Sequence, residues 1–383
     1  MQSSYVLKPR YDLLDGLRGV AALVVLVYHL FEAVAFAAGA AEQEMYHGFI
    51  AVDFFFVLSG FVMGYAYDEK LRTGELSTGG FIKRRMIRLH PMVVMGVLIG
   101  VICFAIQGCT LWPAEGAQVG EHVTMSMLMI AMLFALFLIP LPTSMDVRGN
   151  TEAFPLNGPH WSLFFEYIGS LLYVLMLRKL PTKYLKIWVA VMAVALFVNA
   201  INSDYNSIAY GWSSEPYNLF GGSLRLLFAY PAGLLMARIF KERQVKVQEG
   251  RFYHSFWFNA LVLLALMLVP SLSTLTGIKV LNPLYQCFCV CICFPLIVVN
   301  AAKGQVSGWR KEVVSFVGRL SYPLYAVHYP LIYLYIHWIY TDQHPFGEAF
   351  WATPVCIAFI AIVLGTLCLK FYDEPLRKWL SKH

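Results

Sequence analysis

The property that most constrains this chain is the recurrence of apolar runs about twenty residues long, joined by short polar links. A helix rises about 1.5 Å per residue, so each run matches the roughly 30 Å hydrocarbon core of a bilayer. Of 383 residues, 59% are hydrophobic and 14% charged, whereas an ordinary soluble domain is about 25% charged. That leaves too little polar surface to coat a water-soluble globule. The expected fold is all-α: a polytopic transmembrane helical bundle forming one integral membrane domain over residues 1–383, with no separate soluble domain.

Apolar stretches fall at Leu14 to Phe36, Phe49 to Tyr67, Met92 to Gly108, Val123 to Leu141, Trp161 to Leu177, Leu185 to Ile201, Ser223 to Phe240, Phe256 to Leu275, Pro283 to Asn300, Phe316 to Tyr340 and Phe350 to Phe371. The first is followed by Ala-rich sequence without a small-residue cleavage pattern, so it reads as a retained helix and not a signal peptide. The net charge of +6 does not point to nucleic acid, because the basic residues gather where spans end, as in Lys83, Arg84, Arg85 and Arg88. Such clusters stay on the cytoplasmic side and orient the chain with both termini cytoplasmic. Two cytoplasmic ends require an even number of crossings. About ten full spans and one partial or re-entrant helix are therefore expected, the partial one being Val123 to Leu141 or the Trp161 stretch behind the Pro- and Gly-bearing tract Pro142 to His160.

Cys287, Cys289, Cys291 and Cys293 resemble a metal-ligand spacing. On a helix, alternate residues point about 200° apart, so the four do not converge on one ion, and no metal is expected.

Ionisable groups inside a span cost about 2.5 to 3.5 kcal/mol each and need a partner or a purpose. The first span carries Asp15, Arg18, His29 and Glu32. Arg18 and His29 lie eleven residues apart, which returns to nearly the same helical face about 16 Å further along. Asp53, near the start of the second span, is expected at the depth of His29. Either Asp53 or Glu32 would then hold the imidazole tautomer and leave the other ring nitrogen free as a general base. Arg18 with Arg84, Arg85 and Arg88 would grip the phosphates of a donor. Trp161, Ser162 and Glu166 start a later helix, and Ser321, Tyr325 and His328, spaced four and three apart, share one face of another. Charges at membrane depth also suit a transporter or flippase of a glycan or lipid-linked sugar, which would move substrate without consuming a donor.

Five blocks of the chain resemble the membrane-bound acyltransferase-3 family. LDGLRGVAALVVLVYH from Leu14, with its Arg and His ten residues between, is similar to the family's opening signature. AVDFFFVLSGF from Ala51 resembles the second, and FIKRRMIRLHP from Phe81, HWSLFFE from His160 and LSYPLYAVHYP from Leu320 resemble three more in family order. Many relatives read WSLSVEEQ where this chain reads WSLFFEY, so only Glu166 of the paired acids is kept.

The resemblance implies a ten-helix O-acyltransferase that draws on cytoplasmic acetyl-CoA or a related acyl-CoA and acylates envelope glycans. It implies His29 as the catalytic histidine, with Asp53, Glu32 and Glu166 in support. Arg18, Arg84, Arg85 and Arg88 would serve the donor, and Trp161, Ser162, Tyr325 and His328 the substrates. The expected partners are membrane lipid and a glycan or lipid-linked sugar acceptor. Some relatives carry a hydrolase-like extracytoplasmic domain; here an extracytoplasmic partner protein or direct transfer within the membrane would take its place.

Overall fold

A backbone in lipid must satisfy its own hydrogen bonds, so the apolar runs become helices. The computed structural model describes residues 12–37, 46–110, 122–243, 251–341 and 348–382. The helices are α1 (Asp12–Ala37), α2 (Ala51–Arg72), α3 (Thr78–Ile106), α4 (Met125–Leu136), α5 (His160–Leu175), α6 (Thr182–Asn202) and α7 (Pro216–Glu242). They continue with α8 (Phe256–Met267), α9 (Leu272–Thr276), α10 (Leu281–Phe288), α11 (Phe294–Ala301), α12 (Trp309–Thr341), α13 (Glu348–Cys368) and α14 (Glu374–Leu380). A π-helical turn, Cys289–Cys293, joins α10 to α11 as one apolar rod and carries three of the four clustered cysteines.

Among the described residues, 8 helical segments are long and apolar enough to cross a membrane, and the 33-residue α12 is longer than any of them. The expected polytopic helical bundle is what forms. The Trp161 stretch is a continuous helical segment from His160 to Lys179 and is among the 8. The Val123 to Leu141 stretch gives only the 12-residue α4, about 18 Å long; it ends where Leu138 turns into the left-handed region at φ 51°, just before Pro140 and Pro142. The Phe256 to Leu275 stretch also breaks, because α8 stops at Met267 ahead of Pro270.

Two parallel helix pairs set the frame, and both rely on glycine. Gly16 and Gly19 of α1 face Val314 and Val317 of α12, and Gly318 faces Asp15. A Cβ on Gly19 would stand 2.5 Å from the Val317 carbonyl oxygen, so the two backbones touch, as small residues allow in membranes. The same offset carried about three turns further sets His29 beside His328. In the second pair, Gly60 of α2 meets the Tyr230 carbonyl and Gly233 of α7 meets the Val57 carbonyl. At the start of that pair, Arg225 donates to both carboxylate oxygens of Asp53, Nε at 3.0 Å and Nη2 at 2.7 Å. Arg225 also donates to the carbonyls of Tyr210 and Phe49, and the pair is sealed from solvent at 2% and 0% exposure.

Prolines inside the helices free carbonyls four residues earlier, and at Pro231 and Pro330 a side chain from elsewhere takes the freed carbonyl. Pro231 frees the Leu227 carbonyl, which accepts from Trp188 Nε1 at 2.9 Å. Pro330 frees the Ala326 carbonyl, which accepts from Asn157 Nδ2 at 2.7 Å. Asn157 belongs to the largely irregular tract between α4 and α5, where Val147, Arg148, Glu152, Phe154, Leu156 and Asn157 are buried against α3 and α12. Irregular backbone is tolerated at such a place only because protein surrounds it.

Three substitutions test this frame. Gly19→Ala is expected to destabilise the protein by about 1 to 3 kcal/mol through overpacking, despite alanine's better helix propensity. Gly79→Ala, with nothing near its added methyl, should stay within about 0.5 kcal/mol; thermal unfolding of the detergent-solubilised protein compares them. Asp53→Asn leaves a buried guanidinium without its counter-charge and should cost about 3 to 5 kcal/mol, read in the same assay.

Candidate active site

Helix α1 carries two polar groups of opposite character about three turns apart. Near its end, His29 Nδ1 lies 2.7 Å from Glu32 Oε2, one turn further on. With the carboxylate accepting, Nδ1 holds the proton and Nε2 presents its lone pair. His328 of α12 stacks on His29 with ring centres 5.4 Å apart, and Tyr329 meets the His29 ring edge-on at 4.6 Å. His328 Nδ1 contacts the carbonyls of Tyr325 at 2.9 Å and Leu324 at 3.2 Å. Because carbonyls only accept, that nitrogen carries the proton. Its Nε2 is buried and has no hydrogen-bond partner among the described residues.

At the other end of α1, Arg18 bonds Asp15 and opens onto a cavity of about 280 Å³. Arg18, Arg85 and Arg88 line its basic end; Val52, Phe55, Phe56, Val62 and Leu163 supply apolar walls; and Ser162 and Tyr325 also line it. Those two side chains are bonded to each other at 2.6 Å. Tyr325 precedes His328 by three residues, and their rings lie 5.7 Å apart. Neither imidazole lines the cavity, so Tyr325 and His328 stand between it and His29.

The three cavity arginines differ in what already holds them. Arg85 is bonded to Glu166 and, at 3.1 Å, to Ser170, while Ser59 donates to Glu166 at 2.8 Å. Arg18 has Asp15. Arg88 feels the charges of Arg18, Arg85, Asp15 and Arg377 but makes no hydrogen bond or ion pair among the described residues. It is the cation best placed to receive an anion. Arg377, from the basic segment that closes the chain, pairs with buried Asp373 at 3.2 Å.

Of the residues singled out in the sequence, the structure brings together His29, Glu32 and His328 at one place, and Arg18, Arg85, Arg88, Glu166, Ser162 and Tyr325 around one cavity, with Tyr325 next to His328. Three fall elsewhere. Asp53 is committed to Arg225 and not to His29. Arg84, one residue from Arg85, is turned about 100° around α3 and is exposed. Trp161 lies over the Arg225 guanidinium at 5.0 Å. Arg225 was missed, although an arginine within the apolar run from Ser223 to Phe240 was as costly a feature as those noted in the first span.

A further polar group lies between spans. Tyr333 donates to Glu152, and the Arg148 guanidinium sits 3.5 Å from the Tyr333 ring centre. Burial pushes the Glu152 carboxyl up to about 7, against the opposing pull of Arg148. Tyr333 in turn packs edge-on against Tyr329, 4.7 Å away, so this tract reaches the His29 site through two aromatic rings.

Comparisons with known proteins fit this arrangement. An acyltransferase-3 profile, described as an acyltransferase domain, matches residues 11–370. The chain is 33% identical over 198 residues to protein 2 of the picA locus of Rhizobium radiobacter, a match covering 50% of this chain and 95% of the relative. It is 25% identical to the acyltransferase MdmB of Streptomyces mycarofaciens over 97% of this chain and 93% of that one. A Staphylococcus aureus (strain COL) protein named provisionally as an O-acetyltransferase is 24% identical over 95% of this chain, which spans only 57% of that relative's length. No solved structure gives a significant match. With the profile covering nearly its whole length, this chain belongs to the acyltransferase-3 family of membrane acyltransferases.

Proposed function

We propose that the protein transfers an acyl group, most simply acetyl, from an acyl-CoA to a hydroxyl of an envelope or extracellular glycan, with His29 as general base. The observation that carries the reading is the order of groups met alongside α1, from Arg18 to His29. A cation without a partner among the described residues, Arg88, marks one end of an apolar-walled cavity, the cavity reaches Ser162 and Tyr325, and a stacked imidazole pair with a carboxylate partner lies just beyond. The cavity's basic end would face the cytoplasm of a bacterial inner membrane, where the donor is found.

The donor's phosphates would bind Arg88, assisted by Arg18 once it turns from Asp15, and the pantetheine arm would lie against Val52, Phe55, Phe56 and Leu163. Arg18 and His29 are about 16 Å apart along the helix, a span that an extended pantetheine arm covers. The Ser162–Tyr325 bond closes the last step, so the thioester reaches His29 when the Tyr325 side chain yields. His29 Nε2 takes the proton of the acceptor hydroxyl as its oxygen attacks the thioester carbonyl. The carbon–sulfur bond then breaks, and the departing thiolate takes up the proton that the imidazole holds. Glu32 keeps Nδ1 protonated throughout. Glu166 acts by holding Arg85 in the cavity wall.

His29→Gln should lower acyl transfer by about 10² to 10⁴-fold while isothermal titration shows acetyl-CoA binding unchanged; full activity in that variant would remove the base from the mechanism. Arg88→Gln should weaken acetyl-CoA binding by about 10-fold or more, the loss of a charge-assisted bond. Binding of S-acetyl pantetheine, which lacks phosphate, should not change. Equal weakening of both ligands would remove Arg88 from phosphate recognition.

A further inference from the structure

The hydroxyl of Tyr46 is buried without a hydrogen-bond partner among the described residues. Phenols withdrawn from water nearly always find one, because an unmatched hydroxyl is a standing cost. Its position gives the exception a meaning. Tyr46 precedes α2 on the side of His29 away from the arginine-lined cavity, and its hydroxyl is within electrostatic reach of Glu32, the carboxylate that holds His29. Its ring meets Tyr28 edge-on at 5.5 Å and Phe31 at 6.0 Å, and Tyr28 meets His29 at 5.4 Å.

The ring is also held firmly. Tyr46 bridges to Pro270, and His47 binds the Val269 carbonyl through its backbone N–H at 3.1 Å and its Nδ1 at 2.9 Å. Gly48 completes the fit, since a Cβ there would stand 2.8 Å from Tyr46 Cε2 and 2.9 Å from Tyr28 Cβ. A fixed phenol beside the base, opposite the donor cavity, with its hydroxyl unspent, is what holding a nucleophile requires. Phe31, 47% exposed, adds an open apolar ring beside it. Hydroxyl and apolar ring together suit a sugar, which carries hydroxyls at its edge and C–H bonds on its faces.

We propose that Tyr46 is an acceptor-binding residue whose hydroxyl bonds an oxygen of the incoming sugar, next to the hydroxyl that His29 deprotonates, with Phe31 against the sugar face. The assignment rests on the acyl-transfer reading above and adds to it the residue that recognises the acceptor.

The test uses full-length protein in cells lacking their own copy, with O-acyl groups on envelope glycans measured by mass spectrometry. The purified protein is assayed for acetyl-CoA binding and thermal unfolding. Tyr46→Phe should lower glycan O-acylation about 10-fold, the worth of one hydrogen bond at the upper end of its range. Acetyl-CoA affinity and unfolding temperature should hold, because the hydroxyl bonds nothing among the described residues. Gly48→Ala, which displaces the ring, should show the same fall. Incorporation of labelled acetyl-CoA into glycan by isolated membranes should keep the wild-type pH profile in Tyr46→Phe.

Wild-type O-acylation in Tyr46→Phe overturns the proposal. A shifted pH profile overturns it as well, by showing that Tyr46 acts through Glu32 and His29. A fall accompanied by lost acetyl-CoA binding or lower unfolding temperature assigns Tyr46 to the fold. His29→Gln run alongside separates the two levels: if it retains O-acylation the acyl-transfer reading itself fails, and if it is inactive while Tyr46→Phe is normal, only the acceptor assignment does.

Discussion

The site depends on backbone contact between α1 and α12. In lipid, helices gain little by hiding apolar surface from each other, and van der Waals packing supplies most of the attraction. That attraction is strongest where side chains are smallest, and Gly16, Gly19 and Gly318 provide such a place. Because the two helices run parallel with a fixed offset, contact near their starts fixes which residues meet about three turns later. His29 and His328 meet for that reason. The LDGLRG segment therefore does two things at once: its glycines set the register, and its arginine faces the cavity.

Charge is handled differently in the two halves of the interior. Asp53 and Arg225 satisfy each other fully and tie α2 to α7. Such a pair contributes little net stability but is costly to break, which suits a scaffold. Around the cavity, pairing is lopsided. Arg85 and Arg18 have carboxylate partners, whereas Arg88 adds a charge with none of its own among the described residues. The surplus is positive and lies at one end, which is the electrostatic form expected of a pocket that takes in an anion.

The features legible in the sequence were those governed by one helix. The Arg18 to His29 spacing, the one-turn step to Glu32 and the shared face of Tyr325 and His328 follow from helical periodicity; the structure sets His29 against Glu32 and Tyr325 near His328, while His29 lies outside the cavity that Arg18 lines. Inferences between helices fared less well, because depth in a membrane says nothing of azimuth. Asp53 was expected to meet His29 at the same depth, yet it turns to Arg225, which is 172 positions away in sequence. Arg84 was grouped with Arg85 by adjacency, although neighbours on a helix point apart. Tyr46 gave no signal at all. Its place is set by a loop, by Gly48 and by a bridge to Pro270, none of which has a sequence period.

Proline at position 330 of α12 leaves the helix one hydrogen bond short at Ala326, between the residue that roofs the cavity and the imidazole that stacks on His29. Asn157, from a different part of the chain, supplies the missing bond. A rod with a joint bends where its tie is loosened, and here the tie belongs to the buried tract that also carries Arg148 and Glu152. The tract and the cavity wall are therefore tied at one atom: moving Asn157 would leave the Ala326 carbonyl unpaired beside Tyr325, which lines the cavity, and two residues before His328.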